Sequence, residues 1–311
     1  MRILVVGARG QLARALTDCA PFYRGADVIA VGRPELDITD HRSIARALDA
    51  VTPDVVVNAA GYTNFDKAER EEEAAFAVNR DGAAALARAA NLHGCPIIHV
   101  STDYVFDALK PAPYLETDLP NPVGVYGRSK YAGEAAVVAA NRRHVILRSA
   151  WVFGAHGHTF IKTLVRLSRG EERVRVAADQ RGSPTYAPHL AQAILAIAAQ
   201  LARRTSQDNW GIFHAVSSGA TTWHGFAAAI VSTARRLGAP QPLLPISTDL
   251  YATPGRRPPN ARLDCSKLAR VYGLRLPTWE RGLEQCMARL AAESATETRQ
   301  TDRVLDLAGV E

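Results

Sequence analysis

Ile3-Leu4-Val5-Val6-Gly7-Ala8-Arg9-Gly10-Gln11-Leu12-Ala13 sets the reading of this 311-residue chain. The apolar run predicts a buried strand, and the glycines after it predict a tight turn into a helix that begins at Gln11. Glycines at a first strand-to-helix turn let the backbone approach a pyrophosphate, whose charge the helix N-terminus favours. The spacing is G-x-x-G-x-x-A, wider in its first gap than G-x-G-x-x-G, and Ala13 still permits close helix packing. Gly7, Arg9, Gly10, Gln11 and Leu12 are therefore candidate cofactor-binding residues, set against the plainer reading of an ordinary turn.

Outward from that turn, Val28–Val31, Val55–Asn58, Ile97–Ser101 and Val145–Ser149 read as further buried parallel strands. Helical stretches lie between them: Gln11–Cys19, His41–Ala50 with Asp40 as its cap, Ala68–His93, and a helix beginning near Tyr126. This alternation predicts an α/β fold, a doubly wound parallel sheet of Rossmann type with a smaller C-terminal substrate-binding lobe. After Trp151 the pattern changes. Phe160–Arg169 and His189–Arg203 read as helices, Trp210–Val216 as a late strand returning to the sheet, and Trp223–Leu237 as an amphipathic helix. Residues 240–259 form a proline-rich connection without a regular period, and Asp264–Tyr272 and Trp279–Leu290 read as short closing helices. The expected division is a dinucleotide-binding domain over 1–152 with a returning segment over about 181–216. A substrate lobe covers 217–292 with part of 153–180, and 293–311 form a polar tail.

A hydrophobic share of 47% and a charged share of 22% are ordinary for a globular protein. No apolar run approaches the roughly 18 residues of a membrane span. Met1 leads directly into the first strand without a cleavable leader, so a cytoplasmic location is expected. Cys19, Cys95, Cys265 and Cys286 form no C-x-x-C pair and read as reduced thiols. The net charge of +6 comes mostly from dispersed arginines. No basic run interleaved with aromatics points to nucleic acid, whereas a modest positive field suits phosphorylated small molecules.

Strand two ends at Val31-Gly32-Arg33-Pro34, with arginine where an acid would bind the ribose 2′-hydroxyl. Arginine suits a 2′-phosphate, which favours NADPH; the nearby Glu35 leaves NADH open. Asp37 and Ile38 follow at a place suited to adenine. Small residues at Asn58-Ala59-Ala60-Gly61 would let a nicotinamide ribose lie close, or simply serve helix–sheet packing. Tyr126 and Lys130 are spaced i, i+4 on one helix face. An adjacent ammonium favours the phenolate, so Lys130 is expected to make Tyr126 a better proton donor to a ketone oxygen. Lysine is scarce, with only five among 37 basic residues, which suggests that it was selected for its chemistry. His99, inside strand four, reads as a core histidine.

Together these motifs resemble the extended short-chain dehydrogenase/reductases, and within them the dTDP-4-dehydrorhamnose reductase family. The segments that carry the resemblance are Gly7–Leu12, Asn58-Ala59-Ala60-Gly61-Tyr62-Thr63, Asp66-Lys67-Ala68-Glu69, Ser101-Thr102-Asp103-Tyr104-Val105-Phe106 and Tyr126–Lys130. Arg148–Phe153, Asp179–Thr185 and Arg257–Asp264 add to it, so it spans residue 1 to about 290. Tyr-x-x-x-Lys marks only the superfamily, whereas S-T-D-Y-V-F and R-P-x-N-x-R-L-D are more specific.

The resemblance implies Tyr126 as proton donor, Lys130 as its partner and ribose ligand, and Thr102 as the hydroxyl that holds the keto oxygen. It implies cofactor contacts at Gly10, Gln11, Leu12, Asp37, Ile38, Ala59, Ala60, Gly61, Tyr62 and Thr63. It also implies sugar-nucleotide contacts at Asp103, Trp151, Arg257, Asn260 and Arg262. An indole is a suitable wall for a deoxyhexose because its face is apolar while its N–H still donates. Related 4,6-dehydratases carry Thr-Asp-Glu where this chain has Thr102-Asp103-Tyr104, which leaves simple ketone reduction. Some family members hold magnesium with acidic side chains; Arg14-Ala15 and Pro188-His189 at the nearby positions do not support that ion, and no metal ligands are assigned.

The implied activity is NADPH-dependent reduction of the C4 ketone of a dTDP-linked 4-dehydro-L-rhamnose. Rivals are another nucleotide-sugar ketoreductase, or a cofactor-binding regulatory subunit resembling that of methionine adenosyltransferase. The expected partner is the dTDP-sugar, with a homodimer left open and no nucleic acid or membrane.

Overall fold

The computed structural model describes residues 1–157, 159–167, 174–203, 209–235, 243–250 and 259–307. In the first half, strands β1 (Arg2–Val6), β2 (Asp27–Val31), β3 (Val55–Asn58), β4 (Ile97–Thr102) and β5 (His144–Ser149) alternate with helices. The helices are α1 (Gln11–Cys19), α2 (His41–Val51), α3 (Phe65–Ala68), α4 (Glu72–Phe76), α5 (Ala83–Leu92) and α6 (Val125–Ala140). The second half begins with the short strand β6 (Val152–Phe153), α7 (Phe160–Leu167), β7 (Val174–Ala177), β8 (Arg181–Gly182) and β9 (Thr185–Tyr186). It continues through α8 (Ala187–Arg203), β10 (Gly211–His214), β11 (Thr221–Thr222), α9 (Trp223–Arg235) and β12 (Leu243–Ile246). It closes with β13 (Asn260–Ala261), α10 (Ser266–Tyr272) and α11 (Trp279–Leu307).

The central sheet has the order β10-β5-β4-β3-β1-β2, and every neighbouring pair is parallel. Its inner strands show no alternation of apolar and polar residues because both faces are covered: Ile3, Leu4, Val5, Val55, Val56 and Val57 are all fully buried. One face packs with α1 and α8, the other with α2, α5 and α6. The chain leaves β1 toward β2 on one side and returns to β3 on the other. That reversal opens a crevice beyond the carboxyl ends of β1 and β3, where ligands bind in open α/β sheets.

The doubly wound sheet agrees with the sequence reading, as do Asp40 capping α2 through the Arg42 amide and β10 returning beside β5. Three elements differ. The single helix expected over 68–93 is broken into α3, α4, a π-helical turn at Ala77–Gly82 and α5. The π turn lets Asn79 turn its side chain to the backbone of Tyr62 while α6 packs closely at Gly133. The connection read as lacking a period contains β12, which pairs in parallel with β7 in the smaller lobe. Pro245 sits within β12, a two-stranded ribbon where edge positions tolerate proline. The closing helix read over Trp279–Leu290 is longer than expected: α11 continues through Leu307.

The smaller lobe has its own core of Phe153, Ile161, Leu164, Tyr186, Phe226, Ile230, Trp279 and Leu283. It sits over the carboxyl edge of the sheet because β6 pairs with β9, immediately after β5. Among the described residues, no helix is long and apolar enough to cross a membrane.

Candidate active site

The turn after β1 is built for close approach. Gly7 has a φ of 106°, and its amide donates to the Val31 carbonyl at 2.9 Å. A Cβ on Gly7 would lie 2.9 Å from the Ala60 nitrogen, so the turn and the end of β3 meet backbone to backbone. Gly10 is the extended N-cap of α1 and offers no side chain to cap it. The first amides of α1 thus lack a side-chain acceptor, which suits an anion. Gln11 donates through Nε2 to the Val152 carbonyl, while its buried Oε1 has no partner among the described residues.

Two connected cavities follow from this turn. The outer one, of about 570 Å³, is lined by Gly7, Gly32, Arg33, Leu36, Asp37, Ile38, Tyr62 and Lys67. The inner one, of about 580 Å³, is lined by Gln11, Leu12, Thr102, Asp103, Tyr126, Lys130 and Trp151. Arg9, Gly10, Ala59, Ala60, Gly61 and Thr63 line both, so the groove runs unbroken across the switch point. A turn that leaves the first α1 amides without a side-chain cap, set between two such cavities, fits a dinucleotide.

In the outer cavity Arg33 is exposed and reaches the lining, whereas Glu35 is not among the lining residues. Asp37 accepts from both the amide and the hydroxyl of Thr39, at 2.9 and 2.7 Å. Those bonds, the amide first, and the nearby Arg33 hold its carboxyl below the usual range. Lys67, not singled out by sequence beyond its motif, also lines this cavity and pairs with Glu71 at 3.0 Å. The Tyr62 hydroxyl donates to the same Glu71.

The inner cavity gathers Thr102 from the end of β4 with Tyr126 and Lys130 from α6. Gly127 lets α6 approach the Thr102 segment, because any Cβ there would collide with the Tyr104 carbonyl oxygen. Burial pushes the Tyr126 phenol up to about 12; the Asp103 charge adds to this, and a hydrogen bond with Thr102 offsets part of it. The expected lowering by Lys130 is not found. Its Nζ is instead directed at the sheet, donating to the Val100 carbonyl at 2.7 Å and lying 3.5 Å from His99 Nε2. Burial lowers the ammonium to about 8, and Glu134 works against that shift. Tyr126 therefore keeps its proton near neutrality, as a donor must.

Asp103 is buried; one oxygen accepts from Thr102 and the other has no partner among the described residues. Burial raises its carboxyl to about 7. Tyr104, where a dehydratase would carry glutamate, presents an aromatic ring edge-on to Tyr126, with centroids 5.5 Å apart. Trp151 lines the cavity at a φ of 48°, and its indole stacks on Trp223 from the start of α9, with centroids 4.1 Å apart. Gly182 makes room for that indole, since a Cβ would fall 2.6 Å from it. Trp223, His156 and Ser149 also line the cavity and were missed from sequence. No local pattern marks them, because they reach the site from separate elements.

Two expected sugar-nucleotide contacts, Asn260 and Arg262, stand apart from the residues that line the cavity. Asn260 donates to the carbonyls of Lys110 and Ala112 and accepts from Arg262 Nε, and Arg262 also donates to the Pro111 carbonyl. Both side chains are spent tying β13 to the 110–112 loop, and neither lines the cavity. Arg257 lies outside the described residues.

A doubly wound sheet with a Tyr-x-x-x-Lys helix beside a two-part groove defines the short-chain dehydrogenase/reductase class of oxidoreductase. Residues 1–292 match the family described as RmlD substrate binding domain. A dTDP-4-dehydrorhamnose reductase from Sinorhizobium fredii is 43% identical over 294 residues, covering 94% of this chain and 99% of that protein. A dTDP-4-keto-6-deoxy-D-glucose reductase from Streptomyces niveus is 40% identical over 261 residues, covering 83% and 86%. The solved dTDP-4-dehydrorhamnose reductase from Bacillus anthracis, in complex with NADP, superposes with a TM-score of 0.85 at 33% identity. That match covers 93% of this chain and 99% of that one. The chain belongs to the RmlD family of dTDP-4-dehydrorhamnose reductases.

Proposed function

We propose that the protein reduces the C4 ketone of dTDP-4-dehydro-L-rhamnose to dTDP-L-rhamnose with NADPH. The observation that carries this reading is the convergence of Thr102, Tyr126 and Lys130 on a cavity continuous with a dinucleotide-sized groove. When bound, NADPH supplies the hydride that reduces the carbonyl carbon. The α1 amides and Gly10 hold the pyrophosphate, Arg33 meets the 2′-phosphate, and Gly7 with Ala60 lets the dinucleotide pass close to the backbone. Thr102 orients the ketone oxygen and Tyr126 protonates it, so one proton leaves the phenol as the alcohol forms. Trp151 and Asp103 receive the sugar, the first by an apolar face and the second by hydrogen bonds to hydroxyls.

In this reading residues 1–152 with 181–216 bind the cofactor, and 217–292 with part of 153–180 cover the sugar nucleotide. The protein works in the cytoplasm, and the assembly to test by light scattering is a homodimer. Oxidation of NADPH on addition of dTDP-4-dehydro-L-rhamnose tests the activity, and Tyr126→Phe should lower turnover by roughly 10²–10⁴-fold while preserving NADPH binding. Near-normal turnover in that variant would sink the mechanism. The 40% identity to the Streptomyces niveus enzyme favours a second reading, a 4-ketoreductase making a different deoxysugar. NMR of the product distinguishes the two.

A further inference from the structure

Lys130 has an unusual neighbour for a buried ammonium. His99, in the middle of β4, and Asn58, at the end of β3, are both fully buried, and Lys130 is 4% exposed. Asn58 Nδ2 lies 3.0 Å from His99 Nδ1, and His99 Nε2 lies 3.5 Å from Lys130 Nζ. Both ring nitrogens thus face polar atoms, which fixes the ring's orientation.

The Asn58 amide fixes the proton. Its Oδ1 accepts from the Ala60 amide at 3.1 Å, a donor that cannot be reversed, so its Nδ2 must be the group facing His99. Nδ1 of His99 then accepts, and a neutral imidazole carries its proton on Nε2. The ring is held neutral by burial first and by the Lys130 charge second, both of which push its pKa well below the ordinary value. An Nε2–H pointing at Nζ opposes an ammonium there, but it donates well to the lone pair of an amine. The other groups around Lys130 are the Val100 carbonyl, Glu134 on its own helix, and Asp103 and Tyr126 across the cavity. Glu134 favours the ammonium but is itself neutralised by Arg148 on β5 at 2.6 Å.

We propose that Asn58 and His99 are a positioning pair that locks the imidazole as its Nε2–H tautomer and aims that N–H at Lys130, so that the lysine releases its proton more readily than burial alone would cause. This rests on the reading of Lys130 as the partner of Tyr126 in ketone reduction. The pair also links the lysine to the groove wall: the Asn58 orientation depends on the Ala60 amide, and Ala60 lines both cavities.

The test uses the full chain labelled with ¹⁵N-histidine and ¹⁵N-lysine, without substrate. Long-range ¹H–¹⁵N correlations should show His99 protonated on Nε2, assigned by its loss in His99→Phe. The Lys130 Nζ titration, assigned with Lys130→Arg, should move up by roughly one pH unit in His99→Phe. Asn58→Asp provides a second variant. Its second carboxylate oxygen would take an Nδ1–H, leaving Nε2 as an acceptor toward the lysine, and the titration should again move up. The alkaline limb of the turnover profile should shift with it. An Nδ1–H tautomer in the wild type, or an unmoved Lys130 titration in either folded variant, overturns the proposal. Wild-type protein that never oxidises NADPH with the keto-sugar overturns the proposed activity instead, and the two NMR measurements still stand on their own.

Discussion

Replacing Glu134 by Gln should cost the fold about 3–5 kcal/mol, because it strands a buried guanidinium. Glu134 and Arg148 are each 1% exposed and join α6 to β5. Arg148 donates through Nε to Oε1 at 2.9 Å and through Nη2 to Oε2 at 2.6 Å. Ser101 Oγ donates to Oε1 at 2.5 Å, so the carboxylate also ties β4 into the same node. Arg148 Nη1 already lacks a partner among the described residues, and its guanidinium lies 5.0 Å from the Phe106 ring centroid. The cation therefore has little else to compensate it. A loss of this size is a large fraction of the roughly 5–15 kcal/mol by which domains are stable. The assay is urea unfolding of the cofactor-free chain, with Glu134→Gln run beside a double-mutant cycle of Glu134→Leu, Arg148→Met and the two combined. The double variant should lose much less than the two single losses added together, since an apolar pair leaves no charge behind. A Glu134→Gln loss below about 1 kcal/mol would refute the argument, because a fully desolvated pair cannot be broken so cheaply. A cross-check comes from Lys130: Glu134 raises its pKa, so the same variant should move the Lys130 titration down.

Gly7→Ala places a side chain at positive φ and within 2.9 Å of the Ala60 nitrogen. It should cost about 1–3 kcal/mol and weaken NADPH binding, read by fluorescence titration; unchanged affinity would show that the turn does not carry the pyrophosphate. Arg33→Ser should weaken NADPH roughly ten- to a hundredfold and leave NADH nearly unaffected, as expected for one lost charge-assisted contact. Asp103→Asn probes pH dependence. Burial raises the folded-state pKa from 3.8 to about 7, so between those values the folded chain binds more protons than the unfolded one, and stability falls as pH rises. The variant should remove that slope from urea midpoints measured across the same window; a slope that persists unchanged would assign it to another group.

The sequence by itself determined the sheet. Runs such as Val55–Asn58 are apolar at nearly every position because both faces are covered, and that pattern is local. The glycine turn was legible for the same reason, since the backbone conformation of Gly7 and the cap at Gly10 depend on near neighbours. The i, i+4 spacing placed Tyr126 and Lys130 on one helix face. What that spacing could not decide was where the lysine head goes. Its partners, Val100 and His99, belong to a strand brought beside α6 only by folding. The Glu134–Arg148 pair and the Trp151–Trp223 stack likewise join separate elements. Asn260 and Arg262 carry a specific sequence motif, yet the carbonyls of a distant loop claim them. Tertiary structure also decided the proton chemistry, because burial is the largest cause at both Tyr126 and Lys130, outweighing the Thr102 hydrogen bond at the first and the Glu134 charge at the second. Periodicity and turns record short-range sterics in the order of residues. Desolvation and long-range pairing depend on which atoms exclude water, and only the folded chain fixes that.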